Sequence, residues 1–386
     1  MEGESSRGKR CHSPTTPSAP KRTKTTEREQ SHDAQESTST DITLSLGEYT
    51  LAWICALDVE MTAARAMLDV VHRSPPMPRN NSNAYVLGSI GHHNIVVACL
   101  PMGQYGLINA AHVSASLHFS FPKLRAVFMV GVGGGAPRLD VHQKVSSENV
   151  RLGDVVVGSR IMQTDLGKYV ANGAFQRTAV PRLLHRWLAG LVSALSSHHY
   201  QTRRPKFLSI IEGSAGRYPS LGRPSGSDDL FESSYVHQDN RPDCRECDRL
   251  KLVPRPSRES NDPKVHYGAI ASGNHVMRDG EVRDTFAKEL DVICFEMEAA
   301  GLGDALPCIS IRGICDYADS HKNKQWQPYA AMAAAAYAKE LIGTIPEIQT
   351  DVTVMGSQSV HLHARKWTPP SIALIRPAMP NQCLYT

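Results

Sequence analysis

The sequence has no apolar run that approaches the length of a membrane span. Its first residues, MEGESSRGKRCHSPTTPSAPKRTK, lack the apolar core of a secretory signal. A strong excess of charge is also missing. The formal net charge of the 386 residues is only +4, which gives no argument for nucleic acid or an anionic membrane as the main partner. We therefore expect a soluble intracellular protein.

The cysteines do not form the pattern of a secreted disulfide framework. Five of the nine stand inside apolar runs typical of buried strands: Cys55, Cys99, Cys294, Cys308 and Cys315. Cys244 and Cys247 differ, because they form one C-x-x-C pair in a polar stretch. His237 and His266 are the nearest residues that could complete a zinc site around this pair. Two free thiols without a metal is the favoured interpretation, and a structural zinc is the alternative.

Both ends of the chain have the composition of tails. Residues 1–47 contain almost no large apolar side chains, so burial cannot repay the entropy of ordering them and we expect disorder. Within them, KR at 9–10 and KRTK at 21–24 resemble a bipartite nuclear-import signal, although a solvated basic tail would look the same. The expected location is cytoplasmic or nuclear. Residues 346–386 have no regular period and are predicted to form an irregular C-terminal tail.

Between the tails, mostly apolar strand-like runs alternate with amphipathic helical segments. The first run, YTLAWICAL at 49–57, precedes a helical pattern at 58–72. Residues 201–264 are polar and rich in proline, and we predict an insertion or long loop there. The alternation indicates one α/β domain over 48–345, with a mixed and largely covered central sheet.

A glycine run, VGVGGGAP at 130–137, follows one of the strands and formally matches the G-x-G-x-x-A pattern of a dinucleotide site. Pro137 and the polar stretch after it do not open a helix on which a pyrophosphate could dock, so we do not predict such a site. Gly133 and Gly134 are instead candidates for a strand end where a small ligand approaches the backbone. A purely structural tight turn is the alternative.

Charged residues stand where strands should be buried. Arg312 and Asp316 lie in the apolar run SIRGICDYAD, and a buried charge is costly unless it is paired or used. Either the two pair with each other, or burial raises the pKa of Asp316 so that it can donate a proton. Glu296 and Glu298 flank Met297 at the end of another apolar run.

Two further segments have adequate explanations without a ligand. ALDVEMTA at 56–63 places Asp58 and Glu60 at the start of a helix, where capping and the helix dipole favour acids. ASGNHVM at 271–277 turns through Gly273 and Asn274 at a strand end, where turn chemistry accounts for both residues.

Several of these motifs, in this order, resemble the purine and uridine phosphorylase superfamily over about residues 49–343: ICALDVEMTAA, GVGGGAP, RLGDVVVGSR, FEMEAAG and IRGICDYAD. HYGAIASGNHVM and DYADSHKNKQWQPYAAMAAAAYAKELI are similar to fungal domains of this type that often precede NACHT or ankyrin-repeat regions, although these 386 residues leave no room for such a region. The resemblance implies a three-layer αβα sandwich with a mixed central sheet. It also implies cleavage of the N-glycosidic bond of an adenosine-type purine nucleoside without a cofactor.

The resemblance assigns roles residue by residue. It implies that Glu298 holds the ribose hydroxyls, that Met297 lies against the sugar, and that Asp316 protonates the leaving purine. Val276 and Met277 fall where the base pocket of the family lies.

Water is favoured over phosphate as the acceptor. Phosphorylases of the superfamily carry a Gly-Asp-Pro turn with a nearby arginine after the first strand, and here the matching place reads CALDVEM. Glu60 instead matches the acid that activates water in methylthioadenosine/S-adenosylhomocysteine nucleosidases, and Arg312 matches an arginine near that water. A phosphorylase and a catalytically weak nucleoside-sensing domain are the alternatives, and a homo-oligomer is left open.

Two positions depart from the pattern of the superfamily. PMGQYGLINAA at 101–111 lacks the Ser or Thr that these enzymes often place beside the phosphate or water. Cys315 stands where a serine commonly precedes the catalytic acid.

Overall fold

The computed structural model describes residues 42–347, with gaps at 79–80, 82, 139–148, 239–242 and 304–305. The import-like motifs and the C-terminal tail from 348 onwards lie outside the described residues. The boundary expected at 47 differs from the structure. Thr43 forms a β-bridge with Arg73, and Leu44 and Leu46 pack against the core, so residues 42–47 belong to the domain.

In the part of the chain that the structure describes, the central sheet contains ten strands, and a separate hairpin contains two. The strands are β1 Leu51–Cys55, β2 Val70–His72, β3 Tyr85–Ile90, β4 His93–Cys99, β5 Ala126–Gly135, β6 Val155–Gln163, β7 Gly167–Tyr169, β8 Phe175–Arg177, β9 Arg182–Leu183, β10 Val265–Ser272, β11 Val292–Glu296 and β12 Cys308–Asp316. The helices are α1 Asp58–Met67, α2 Leu107–Ser120, α3 Arg186–Gln201, α4 Lys206–Arg217, α5 Gly280–Leu290 and α6 Gln327–Ile342.

The strands lie in the order β11-β10-β6-β12-β5-β1-β4-β3-β2, and β9 pairs with β6. β1 is parallel to β4 and β5, and β12 is parallel to β5, whereas β12 is antiparallel to β6. β11 also pairs with β5, which closes β5, β12, β6, β10 and β11 into a ring. The expectation of a mixed sheet is confirmed.

Helices cover both faces of this sheet, because both faces of its central strands are apolar. Along β1, Leu51, Trp53 and Cys55 join the core that contains α1, α3, α4 and α6, whereas Ala52 and Ile54 join the core that contains α2. This alternation follows from the two-residue period of a strand. It produces the expected layers of helix, sheet and helix.

Helix α6 is buried around most of its surface, and alanines supply most of its middle turns. The small side chains let it lie directly on the sheet. A Cβ atom at Gly313 of β12 would overlap the backbone carbonyl of Ala330 in α6. The last helix thus holds in place the strand that carries Arg312 and Asp316.

Three local predictions differ from the structure. The helical pattern at 58–72 ends at Met67, and Val70–His72 forms β2, which pairs with β3. The insertion at 201–264 contains α4, whose Phe207 and Ile211 enter the main core. Helix α5 had no counterpart in the sequence-based prediction.

Within the described residues, no helix combines the length and apolar character needed to cross a membrane.

Candidate active site

A cavity of about 380 Å³ lies where the carboxyl ends of β1, β5 and β12 meet the end of β11. Parallel strands bring their carboxyl ends to one edge of a sheet, which is where α/β folds place their ligands. Seven predicted site residues line the cavity: Glu60, Gly133, Gly134, Val276, Met277, Met297 and Glu298. Asp316 and Arg312 are buried next to this wall, 4% and 1% exposed.

Glu60 reaches the cavity from the first turn of α1 and is buried. Its carboxylate accepts backbone N–H groups from Ala56 at 2.6 Å, Leu57 at 3.0 Å and Val132 at 2.8 Å. Burial raises the pKa of Glu60, and the charge of Arg312 with the three N–H donors offsets only part of the rise. Glu60 therefore caps its helix, as the sequence indicated, and also presents a carboxyl of raised pKa to the cavity.

The glycines of β5 make room for this carboxylate. A Cβ atom on Gly131 would overlap Oε1 of Glu60, and one on Gly134 would lie 2.9 Å from Oδ1 of Asp316. Gly131 was not singled out by the sequence analysis, although it belongs to the same run. The glycine run thus lets two acids approach the strand closely.

Arg312 is held by two carboxylates. Its guanidinium donates to Oε2 of Glu296 and lies 3.5 Å from Oε2 of Glu298. Glu296 also accepts the backbone N–H groups of Glu298 at 3.1 Å and Ala299 at 2.9 Å, which fixes the turn after β11. The alternative in which Arg312 pairs with Asp316 is wrong, because Glu296 occupies that guanidinium.

Glu298 is a second buried carboxyl in the cavity wall. Burial raises its pKa to about 7, the nearby Glu296 and Glu60 contribute to the rise, and Arg312 opposes it. Its Oε1 accepts the N–H of Gly106 at 3.4 Å. Glu298 can therefore change its charge near neutral pH.

Asp316 is paired with Lys322, whose Nζ lies 3.0 Å from Oδ2. Oδ1 of Asp316 accepts the N–H of Ala318 at 2.9 Å, and the thiol of Cys315 donates to Oδ2 at 3.1 Å. Lys322 lines the cavity, and sequence reasoning missed it. The available signal was a basic residue six positions after the acid, which becomes a contact only because the chain turns after β12.

The rest of the wall is mostly apolar. Val276, Met277 and Met297 contribute aliphatic surface, and Phe295 and Tyr105 contribute aromatic rings. Such surface suits a flat heteroaromatic base or the carbon face of a sugar. Tyr105, with His275, lines the cavity without having been predicted.

Outside this cavity, three of the four zinc candidates come together. The ligand atoms of His237, Cys244 and Cys247 lie within 4.8 Å of one another. His266 is not among them, and its Nε2 instead lies 2.8 Å from Oδ2 of Asp154. The expectation that His266 could complete the site is therefore wrong.

The fold and the cavity define an α/β sandwich with a cavity lined by buried acids at its strand ends. Residues 50–343 match the family model of the phosphorylase superfamily, and the chain belongs to this superfamily.

Two relatives differ in how much of them the chain covers. One relative is a nucleotide-binding leucine-rich repeat (NLR)-like protein from Hyaloscypha variabilis. It is 40% identical to this chain over 324 residues. That match includes 80% of this chain but 31% of the relative, so the chain spans about a third of that protein. A 5′-methylthioadenosine/S-adenosylhomocysteine nucleosidase from Mycobacterium bovis is 21% identical over 308 residues, 77% of this chain and 97% of the enzyme.

Two solved structures share the fold. The futalosine hydrolase of Helicobacter pylori aligns with a TM-score of 0.50 at 16% identity, covering 77% of this chain and 99% of that one. A 5′-methylthioadenosine/S-adenosylhomocysteine nucleosidase from Neisseria meningitidis, in complex with methylthio-immucillin-A, gives a TM-score of 0.50 at 17% identity with the same coverage. At these identities the likeness establishes the fold.

Proposed function

We propose that this domain binds a purine nucleoside and cleaves its N-glycosidic bond with water. The observation that carries the proposal is the placement of buried Glu60 and Glu298 in the wall of one cavity, with the Asp316–Lys322 pair beside them. Breaking the bond develops positive charge on the ribose and negative charge on the base. Carboxylates near the sugar and a proton donor at the base are the groups that this charge separation needs.

Each group has one role in this scheme. The C–N bond breaks with its electron pair going to the base, and Asp316 in its protonated form gives the base a proton. Lys322 then stabilises the carboxylate left behind until solvent returns the proton. Water attacks the anomeric carbon, and Glu60 takes the proton that water loses. Glu298 accepts hydrogen bonds from the ribose hydroxyls, while Met297 packs against the sugar and Val276 and Met277 against the base.

Arg312 acts differently from the role that the resemblance gave it. Its guanidinium is committed to Glu296 and Glu298, so we assign it to positioning these carboxylates rather than to contact with water. Its charge also acts on Glu60 and limits the rise of the pKa there.

Water fits the geometry better than phosphate. The backbone N–H groups of Ala56 and Leu57, at the end of β1, donate to Glu60 and so are not available to a phosphate dianion. A carboxylate at this position would also repel that dianion. The names of the Mycobacterium bovis relative and of the two structural neighbours, which are nucleosidases and a hydrolase, support the same choice.

The experiment is an assay of base release from a panel of purine nucleosides, with and without phosphate. We expect release of free base and free ribose at the same rate in both conditions. Asp316→Asn, Glu298→Gln and Glu60→Gln should each lower the rate by about 10²-fold or more. Asp58→Asn is the matched control, because Asp58 is an exposed acid in the same first turn of α1 and should leave the rate within about twofold.

Other outcomes would replace the proposal. A strict need for phosphate, with ribose 1-phosphate as product, would make the chain a phosphorylase. Nucleoside binding by calorimetry without any product would favour a sensing domain, for which the NLR-like relative is the supporting observation.

A further inference from the structure

We propose that His237, Cys244 and Cys247 bind a zinc ion that fastens the insertion to the loop after β12. In a tetrahedral zinc site the bonds are about 2.0–2.3 Å long, which puts ligand atoms roughly 3.3–3.8 Å apart. The three side chains already lie within 4.8 Å of one another, so small rotations are enough. The C-x-x-C spacing is that of structural zinc sites.

The surroundings of His237 orient its ring for a metal. Its Nε2 lies 3.1 Å from the carbonyl oxygen of Asp243, and an N–H donor there leaves the lone pair on Nδ1. Histidine ligands of metals commonly donate their other ring nitrogen in this way. All three ligand residues are half-buried, which shields the bonds while leaving a path for the ion.

A fourth, open position lies next to His321. The ring of His321 is 5.4 Å from that of His237 and stacks on Phe231 at 4.2 Å. Neither of its buried ring nitrogens has a hydrogen-bond partner among the described residues, and Nδ1 lies 3.7 Å from Asp319. A water molecule on the zinc would supply the partner that His321 lacks.

The site would connect two segments that are distant in sequence. The backbone N–H of His237 donates to Oγ of Ser320 at 2.9 Å, and the thiol of Cys244 lies 3.6 Å from the carbonyl oxygen of His321. The next residue in that loop is Lys322, the partner of Asp316. The zinc would therefore hold in place the loop that positions Lys322. Zinc binding itself does not depend on the proposed hydrolysis.

The test is metal analysis of the purified chain, produced with zinc present and then desalted. We expect about one zinc per chain, lost in Cys244→Ser, Cys247→Ser and His237→Ala. Cys308→Ser is the matched control, because Cys308 is a half-buried cysteine in an apolar strand and should leave the zinc content unchanged.

Two measurements on the unmodified chain keep the test decisive if a variant fails to fold. Cobalt in place of zinc should give the visible absorption of a tetrahedral thiolate site, and a mercurial that blocks thiols should release the bound zinc. Zinc retained in the Cys244→Ser/Cys247→Ser double variant would overturn the proposal. So would a chain without zinc whose two thiols titrate freely or form a disulfide.

Discussion

Gly131 shows how a single missing side chain shapes the site. A Cβ atom there would overlap the Glu60 carboxylate, whose own position is set by three backbone N–H groups. We expect Gly131→Ala to displace Glu60 and to lower hydrolysis by about 10²-fold, the range for loss of a general base. Affinity for nucleoside should change by less than about threefold, because Glu298 and the apolar wall remain.

The matched control is Gly190→Ala in α3, where a Cβ atom meets nothing within 4 Å. It should keep full activity and stabilise the fold by about 0.5–1 kcal/mol, since alanine is the better helix residue. Base release and chemical denaturation of both variants measure these effects. Full activity in Gly131→Ala would show that the position of Glu60 does not matter.

The raised pKa of Glu298 predicts how the free energy of unfolding changes with pH. Burial raises its pKa to about 7 from the ordinary 4.5, so the folded protein binds a proton between these values that the unfolded chain has released. The free energy of unfolding should therefore fall as pH rises from about 4.5 to 7, by on the order of 1–3 kcal/mol. Glu298→Gln should remove this component, and denaturation of both proteins from pH 5 to 8 measures it.

The same ionisation should affect ligand binding in the opposite direction. The charged carboxylate is the better acceptor for ribose hydroxyls, so nucleoside affinity should rise as pH increases through about 7. Calorimetric titrations with adenosine across this range test the point. A flat affinity profile in the unmodified protein would contradict the assignment of Glu298 to ribose.

At the residue scale, the sequence was a better guide to the acids of the candidate site than to the residues that contact them. Glu60, Glu298 and Asp316 stand in short motifs at strand ends, and it was the resemblance to the superfamily that assigned all three to one site. Lys322 reaches Asp316 only through the turn after β12, and Glu296 meets Arg312 only because β11 and β12 both lie beside β5. Such contacts depend on tertiary geometry that has no local period.

At the element scale, predictions failed where burial departs from a simple pattern. Val71 extends the helical spacing of α1, yet pairing with β3 makes it part of a strand. Phe207 and Ile211 of α4 were hidden in a stretch whose overall composition is polar. The apolar runs that became β1, β5 and β12 were recognised because strands buried on both faces are continuously apolar.

The contact between α6 and β12 gives a prediction for an element. A Cβ atom on Gly313 would overlap the backbone carbonyl of Ala330, which cannot move without shifting the helix. We expect Gly313→Ala to destabilise the protein by about 2–3 kcal/mol, the upper part of the range for overpacked cores. Gly268→Ala in β10 is the control, because the three atoms nearest its Cβ all belong to the side chain of Ile293, with Cδ1 the closest at 2.6 Å.

The control variant should cost less than about 1 kcal/mol, since Ile293 can change rotamer. Urea denaturation of the two strand variants compares them directly. Equal destabilisation by Gly313→Ala and Gly268→Ala would mean that α6 shifts as easily as the side chain of Ile293.

At the scale of the whole molecule, the insertion is fastened to the sheet by Asp154, which is fully buried just before β6. Its carboxylate accepts two bonds from Arg258, at 2.7 and 2.6 Å, and lies 2.8 Å from Nε2 of His266. The N–H of Lys264 donates to it at 2.9 Å. The end of the predicted loop is thus bound to β6 and β10. Composition alone could not reveal this link, because in the sequence Arg258 resembles any exposed charged residue.

Asp154 should therefore make the stability of the whole molecule sensitive to acid. Burial tends to raise its pKa, but hydrogen bonds and charges from Arg258 and His266 more than offset this and hold the pKa below its usual 3.8. A lowered folded pKa stabilises the protein above the unfolded value, and that stabilisation is lost as pH falls through the folded pKa. At pH 7, Asp154→Asn should lower the free energy of unfolding by about 3–5 kcal/mol, because it leaves buried cations without their partner.

Below about pH 4, the difference in free energy of unfolding between Asp154→Asn and the unmodified protein should shrink. The exposed control Asp262→Asn should stay within about 0.5 kcal/mol of the unmodified protein at every pH. A penalty for Asp154→Asn that is the same at pH 7 and at pH 3 would show that the carboxylate's charge is not what holds the insertion to the sheet.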